Sequence, residues 1–442
     1  MKKVSLLLLT ALLLFTTACS GGGGTGLIPR GYPTDNTYHP ETDCSYTTAS
    51  AMYGSRVAET ELGYYTFANC YLLFTDAKTM ETVPVCAKPN CLHEEEPDED
   101  KRKECNAYFK GIALVGSVFY VDDSLYIWHK LEHTSDLIPQ DGAHSEILNY
   151  CALTQVSIDG TQRKTLFVTH SPGLSFSCIH RGRFYTIRQV WDESGHRREE
   201  LWSYSLKNPS EEPICLFQSQ SMYPSGVFYF NLFCYGNYLY VRERIDAWTE
   251  TEQFRILNLL TNEWTVLENP EGKSARWMLV HNGSLLAFYG DPQWSYAENL
   301  SVMDADLYRL ELDGSNPEFL GEYAYVHASS DNEYLYMTEP HLCDRNKVTM
   351  YIYDRDMNLV DSFDCDYSDH PNWQIGYFSV YPMRGNRYIY CASILSDVVF
   401  GSFDRSSIGS GSIQAEQYFR FNQAYDYQSR LVTEEERLAK QK

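Results

Sequence analysis

Between Gly63 and Asn386 the chain makes the same move seven times, a short turn of Gly, Asn or Asp followed at once by an apolar, mostly aromatic strand. The turns are Gly63 before Tyr64-Tyr65, Asp122-Asp123 before Leu125-Tyr126, Arg181-Gly182 before Phe184-Tyr185, Gly236-Asn237 before Leu239-Tyr240, Asn282-Gly283 before Leu285-Leu286, Asp331-Asn332 before Leu335-Tyr336 and Gly385-Asn386 before Ile389-Tyr390. A second hairpin follows them. Leu307 to Leu312 alternates apolar and polar residues and enters Asp313-Gly314, and Thr154 to Ile158 does the same before Asp159-Gly160. Weaker copies run from Trp202, Ile256, Met350 and Val398. Such alternation into an Asp-Gly turn marks a half-buried strand feeding a hairpin.

Two hairpins make four strands, and the turns recur every 47 to 60 residues, the length of one four-stranded propeller blade. The expected fold is therefore all-β: a single β-propeller over residues 42–422, with seven blades and six or eight as the neighbouring counts. Two or three sandwiches would not repeat one two-hairpin unit over such a length. Because an open sheet edge is a liability, a strand from Ser45 to Glu61 is expected to close the ring by pairing with strands from Tyr388 to Phe421.

In an up-and-down meander the first and third turns of each blade share one face, and the second turn and the blade-to-blade link share the other. The first turns and most of the third are tight. The second connections are long, at Lys130 to Glu146, Gln189 to Glu199, Glu243 to Gln253, Gly290 to Ala305 and Glu339 to Lys347, and long loops on a rigid scaffold are where function concentrates. They carry Trp191, Trp248 and Trp294, flat apolar side chains with one polar atom, suited to a sugar, a peptide or a protein. His129, His133, His144, His196 and His341 lie close by in sequence. His180 and His281 occupy matching places two residues before a turn glycine, where each either faces the central channel or is a hydrogen-bonded strand histidine.

Lys2 and Lys3 ahead of the apolar run Val4 to Phe15 form an export signal over residues 1–18, too short to span a bilayer. Thr16-Thr17-Ala18-Cys19 has the form of a lipobox, with Cys19 the lipid-bearing residue and residues 19–41, beginning Ser20 and four glycines, a flexible leash. With 36 Lys and Arg against 59 Asp and Glu, the net charge is −23. That excludes a nucleic-acid partner and a polybasic hold on the membrane, leaving the lipid as anchor on the outer face of the cell membrane. Residues 423–442 read as a tail, with a short helix from Thr433 capped by Glu436.

One insert carries ligand chemistry. Cys86-Ala87-Lys88-Pro89-Asn90-Cys91-Leu92-His93 precedes the acidic run Glu94 to Asp100 and then Cys105. Three thiols and an imidazole are the donors of a closed structural zinc site. The competing readings are a disulfide within Cys86, Cys91 and Cys105, with Cys44 or Cys70 taking the odd thiol, and free thiols. Cys178, Cys234, Cys343, Cys365 and Cys391 sit singly in strands and read as small buried apolar residues.

No G-x-S-x-G, H-E-x-x-H, P-loop or G-x-G-x-x-G pattern occurs. The lipobox, the Leu307 to Ser315 type of repeat and the Cys86 to His93 segment with Cys105 to Tyr108 after it resemble a group of uncharacterised exported β-propeller lipoproteins of anaerobic Gram-positive bacteria. The resemblance implies a cell-surface propeller and carries over no catalytic residue. Two functions stay in view: a lipid-anchored module binding a glycan, peptide or protein on its long-loop face, and a polysaccharide lyase or glycoside hydrolase acting at the channel mouth.

Overall fold

The structure is a computed structural model. It describes residues 26–43, 57–68, 70–93, 96–109, 116–131, 150–170, 177–191, 197–218, 231–245, 251–291, 303–325, 327–331, 333–340, 347–366, 375–382, 387–394 and 397–422. Cys19 with the export signal, Ser45 to Arg56 and the tail from Thr433 lie outside them.

Seven four-stranded antiparallel sheets follow one another along the chain, each with its strands in sequence order. Blade 1 holds β1 (Val57–Glu59), β2 (Gly63–Ala68), β3 (Tyr71–Asp76) and β4 (Thr82–Pro84). Blade 2 holds β5 (Gly116–Val121), β6 (Ser124–Lys130), β7 (Tyr150–Val156) and β8 (Arg163–His170), and blade 3 holds β9 (Ser177–His180), β10 (Arg183–Trp191), β11 (Arg197–Ser205) and β12 (Ile214–Gln218). Blade 4 is β13 (Asn231–Tyr235), β14 (Tyr238–Arg244), β15 (Glu252–Asn258) and β16 (Glu263–Leu267); blade 5 is β17 (Ser274–His281), β18 (Ser284–Gly290), β19 (Met303–Leu310) and β20 (Glu318–Tyr325). Blade 6 is β21 (His327–Ser330), β22 (Leu335–Pro340), β23 (Lys347–Tyr353) and β24 (Leu359–Asp366); blade 7 is β25 (Ile375–Pro382), β26 (Arg387–Ile394), β27 (Asp397–Asp404) and β28 (Ala415–Asn422). The chain is a β-propeller, and the repeat read from its turns is the blade.

Strand periodicity explains why the blades stack into a ring. Successive side chains point to opposite faces of a strand, and here both faces are apolar. In β18, Leu285, Ala287 and Tyr289 enter the core shared with blade 4, while Leu286 and Phe288 enter the core shared with blade 6. In β10, Phe184 joins the core facing blade 2, and Tyr185 and Ile187 join the one facing blade 4. The first strands of successive blades meet around the axis, β1 with β5, β5 with β9, β9 with β13, β17 with β21 and β21 with β25. Tight turns hold the register. Asp122 and Asp123 (φ 49° and 55°) and Asn282 and Gly283 (φ 48° and 71°) take the left-handed pairs that two-residue hairpins require.

One expectation bears on described residues only in part, since Ser45 to Arg56 lie outside them, and a second is corrected. The strand described in the Ser45 to Glu61 segment is β1, which pairs with β2 inside blade 1, and blade 7 contains only β25 to β28. Among the described residues no strand is exchanged between the first and last blades. Blade 7 comes near blade 1, where the charge of Arg387 in β26 acts on Tyr64 in β2. The leash expected over 19–41 is not free from residue 26 onward. Residues 26–43 lie across the tight-turn face of blades 2 to 4, because their few large or charged side chains find partners there. The Leu27 N–H donates to Leu259 O, the Tyr32 hydroxyl donates to Asp122, and Asp122 and Arg181 donate backbone N–H to Glu41 O and Thr42 O.

Arg181 is the centre of this contact. It is 1% exposed, and its guanidinium faces Asp43 (3.3 Å), Asn237 Oδ1 (2.8 Å) and the carbonyls of Pro33 (2.9 Å) and Thr37 (3.1 Å). Four of its five N–H donors thus meet acceptors from blade 4 and the N-terminal segment. Removing one partner of a buried pair leaves the other charge without compensation, at about 3–5 kcal/mol. Arg181→Ala is expected to lower the urea-unfolding free energy by about that much, and a loss below about 1 kcal/mol would show that the segment contributes nothing to the ring.

The matching histidines are bolts between blades. His180 Nε2 lies 2.7 Å from Gly236 O in blade 4, and His281 Nδ1 lies 2.8 Å from Ser330 Oγ in blade 6. His129, expected near the loop rim, is a buried residue of β6 with Nε2 2.9 Å from Thr154 Oγ1. Burial holds all three rings neutral, lowering His129 to about 3 and His180 to about 4, with His281 lowered as well. An unfolded chain would take up these protons from about pH 6.5 downward. Stability from these sites is therefore full above that value and lost as the pH falls toward 4. Urea midpoints are expected to drop across that window, with a shallower slope in His129→Gln; a midpoint flat between pH 7 and 4.5 would contradict it.

Candidate metal centre and the long-loop face

The Cys/His insert interrupts an outer strand. β4 pairs with β3 as far as Pro84, and the Val85 N–H donates to Leu72 O. The chain then leaves the sheet and returns at Ala107, whose carbonyl accepts from Leu72 N–H; Phe109 N–H donates to Cys70 O and Tyr71 bridges Tyr108. Blade 1 thus has a fourth strand in two halves, with the stretch from Cys86 to Asn106 looped out between them.

At the neck of that loop the ligand atoms of Cys86, Cys91, His93 and Cys105 all lie within 4.8 Å of one another. Local sequence sets this up. Cys91 N–H donates to Lys88 O, and Asn90 and His93 take left-handed backbone (φ 60° and 52°) on either side of Cys91, turning both side chains toward Cys86. Helix α1 (Glu99–Lys103), capped by Asp98, then carries the chain back to Cys105, whose Sγ is 3.5 Å from His93 Nδ1. Burial opposes ionisation of Cys86, but backbone N–H groups of Lys88 and Asn106 donate to it, with Cys105 and Cys91 beside it, and its thiol lies below its ordinary value. Burial raises Cys105. The three sulfurs are not joined to one another, and Cys70 stands outside the cluster.

The insert also ties blade 1 to blade 2. Asn106 Nδ2 donates to Gly160 O (2.8 Å), as does Ala87 N–H, and Arg163 of β8 donates to the carbonyls of Cys105 and Tyr108 while lying 3.9 Å from the Phe109 ring centroid. A side chain at Gly160 would meet the Val85 carbonyl at 2.7 Å, so the glycine of this Asp-Gly turn also makes room for the insert.

On the opposite face the second connections of blades 2 to 6 occupy residues 131–149, 192–196, 245–251, 291–302 and 341–346, whereas those of blades 1 and 7 are only 69–70 and 395–396. Two are shorter than expected because pairing continues further, to Trp191 opposite Arg197 and Arg244 opposite Glu252. Trp191 therefore ends β10 rather than sitting in a loop. Trp248, Trp294, His133, His144, His196 and His341 lie outside the described residues.

Beneath that face strand ends bury charge, which the sequence reading missed. Glu252 Oε2 lies 3.5 Å from Arg242 Nε and 3.8 Å from Arg276 Nη1, joining blades 4 and 5, and Arg242 stands over the Trp277 ring. Glu243 pairs with Arg255, and Lys273 with Asp306 at 3.0 Å. The only advance signal was an Arg or Glu at the end of a strand otherwise apolar. Cys178 and Cys234, on the first strands of blades 3 and 4, bring their sulfurs to 3.3 Å as reduced thiols.

No family model matches the chain, and no curated protein sequence does. Among solved structures, a prolyl endopeptidase matches with a TM-score of 0.50 at 8% identity, over 88% of this chain and 51% of its own, so the chain spans about half the length of that enzyme. The β-propeller domain of the Trilobed protease from Pyrococcus furiosus matches with 0.42 at 13% identity, over 71% of this chain and 92% of the domain. A polysaccharide lyase matches with 0.43 at 8% identity, over 89% of this chain and 93% of its own. At these identities the likeness is one of fold, a β-propeller.

Proposed function

We propose that this chain is a binding propeller that takes a glycan, peptide or protein partner on its long-loop face, presented at the outer face of the cell membrane by a lipid on Cys19. The observation that carries the reading is the asymmetry of the two faces. The tight-turn face of blades 2 to 4 is covered by the chain's own residues 26–43, while the strand ends joined by the long connections of five consecutive blades lie at the other. Trp191 lies at that end of β10, and Trp248 and Trp294 belong to two of the connections.

The second reading, a propeller lyase or glycosidase at the same face, is favoured by the buried Glu199, Glu200, Glu243 and Glu252 at the loop-face ends of β11, β14 and β15. Against it, Glu243 and Glu252 are held in ion pairs with arginines, which suits a structural part.

A screen against bacterial and dietary polysaccharides that reads both binding and product release separates the two. Binding without release is expected. For the ligand found, Trp191→Ala, Trp248→Ala and Trp294→Ala should include at least one loss of about 2 kcal/mol, near thirtyfold, while Asn316→Gly on the tight-turn face should leave affinity unchanged. Affinity lost in the turn variant and kept in all three Trp variants would put the site on the other face. Cys19→Ser should abolish lipid labelling of the chain; a variant still labelled and membrane-bound would overturn the anchor.

A further inference from the structure

We infer that Cys86, Cys91, His93 and Cys105 hold one structural zinc ion, and that this ion splices the interrupted outer strand of blade 1. The donor set suits the metal. Zinc bound at about 2.3 Å from sulfur and about 2.0–2.1 Å from imidazole nitrogen sits in a tetrahedron with edges of about 3.5–3.8 Å. The four donor atoms lie within 4.8 Å of one another, and one edge, Cys105 Sγ to His93 Nδ1, is already 3.5 Å. A disulfide would use two of these groups and leave a thiol and an imidazole crowded against it. Four protein donors fill the coordination shell and leave no open position for a substrate, so the centre is structural.

The surroundings suit the charge of the complex. Three thiols give up their protons to the solvent as zinc binds, and three thiolates, one neutral imidazole and the dication sum to −1. Amides of Lys88 and Asn106 already point at Cys86. Lys88 Nζ is held at the carbonyl of Glu104, and the Arg163 guanidinium at those of Cys105 and Tyr108. Two cations therefore flank the cluster with carbonyl oxygens, rather than carboxylates, as their hydrogen-bond partners.

The position of the ligands gives the ion its task. Cys86 follows the first half of the split strand by one residue and Cys105 precedes Ala107, the start of the second. Holding both at one ion closes the loop at its neck, so that Leu72 can bond Val85 on one side and Ala107 on the other. The same neck sets Asn106 and Ala87 against Gly160 of blade 2.

The test uses the purified chain. Elemental analysis after expression with zinc should find about one zinc per chain, lost in His93→Ala and Cys105→Ser and retained in Asn106→Ala. Because a ligand variant could fail to fold, the unaltered chain is also stripped with a chelator under reducing conditions and titrated with Co2+. One equivalent should produce the absorption of a tetrahedral cobalt–thiolate centre and restore slow amide exchange at Leu72 and Phe109, while exchange in β18 stays constant throughout. Zinc-free protein in which peptide mapping finds Cys86, Cys91 or Cys105 in a disulfide would overturn the site. Metal bound and released with no change at Leu72 and Phe109 would overturn the splice.

Discussion

The inner strands of the described blades, β17 and β18 most fully, bury both of their faces, and the remainder of the architecture follows from that. A sheet apolar on one side can stop at a single partner, whereas a sheet apolar on both must be sandwiched. β17 shows it residue by residue: Ala275, Met278 and Val280 enter one core, Trp277 and Leu279 the next, and a register shift between Ala275 and Trp277 re-aims the strand. Sheets packed on both sides and twisted in one sense go round until the last meets the first. The ring in turn sorts the connections, so a requirement about burial decides which loops stand together.

Among the described residues each blade is contiguous in sequence, so the described seams hold without shared strands. The described seams show polar bolts for this purpose, each placed where the apolar core gives out. At the tight-turn end, His180 reaches Gly236, His281 reaches Ser330, and Arg181 gathers Asp43, Asn237 and two carbonyls. At the loop end Glu252 is shared between Arg242 and Arg276 across blades 4 and 5. Buried polar groups of this kind are costly unless satisfied, which ties each blade to one angular position relative to its neighbour.

What could be read in advance was whatever chemistry acts over a few residues. The turn at Asn282-Gly283 needs left-handed backbone that only a short list of residues supplies, and the insert's four donors fall between Cys86 and Cys105, so both were visible. What escaped depends on partners far away in the chain. Residues 26–43 have the glycine, proline and polar content of a linker, and nothing in Leu27, Tyr32 or Asp43 announces partners at Leu259, Asp122 and Arg181. Arg181 in a hairpin turn reads as a solvent-facing residue, yet it is among the most buried side chains described. His129 was assigned to the rim because a long loop follows it, but its place in β6 turns it inward to Thr154. The expected exchange of strands between blades 1 and 7 follows from the hazard of open edges, a rule that says nothing of which strand β1 pairs with, and β1 pairs inside its own blade.

Blade 1 has the shortest fourth strand among those described, Thr82–Pro84. The insert restores part of what is missing: Ala107 to Phe109 lengthen the outer strand, Phe109 enters the core shared by blades 1 to 3, and Asn106 reaches blade 2. An excursion rich in charge cannot pack itself against a sheet, and closing its ends is the cheapest way to lower the entropy it would otherwise retain. A cross-link is best placed where a strand is short and interrupted, and the four ligand atoms converge beside β4, the shortest fourth strand described.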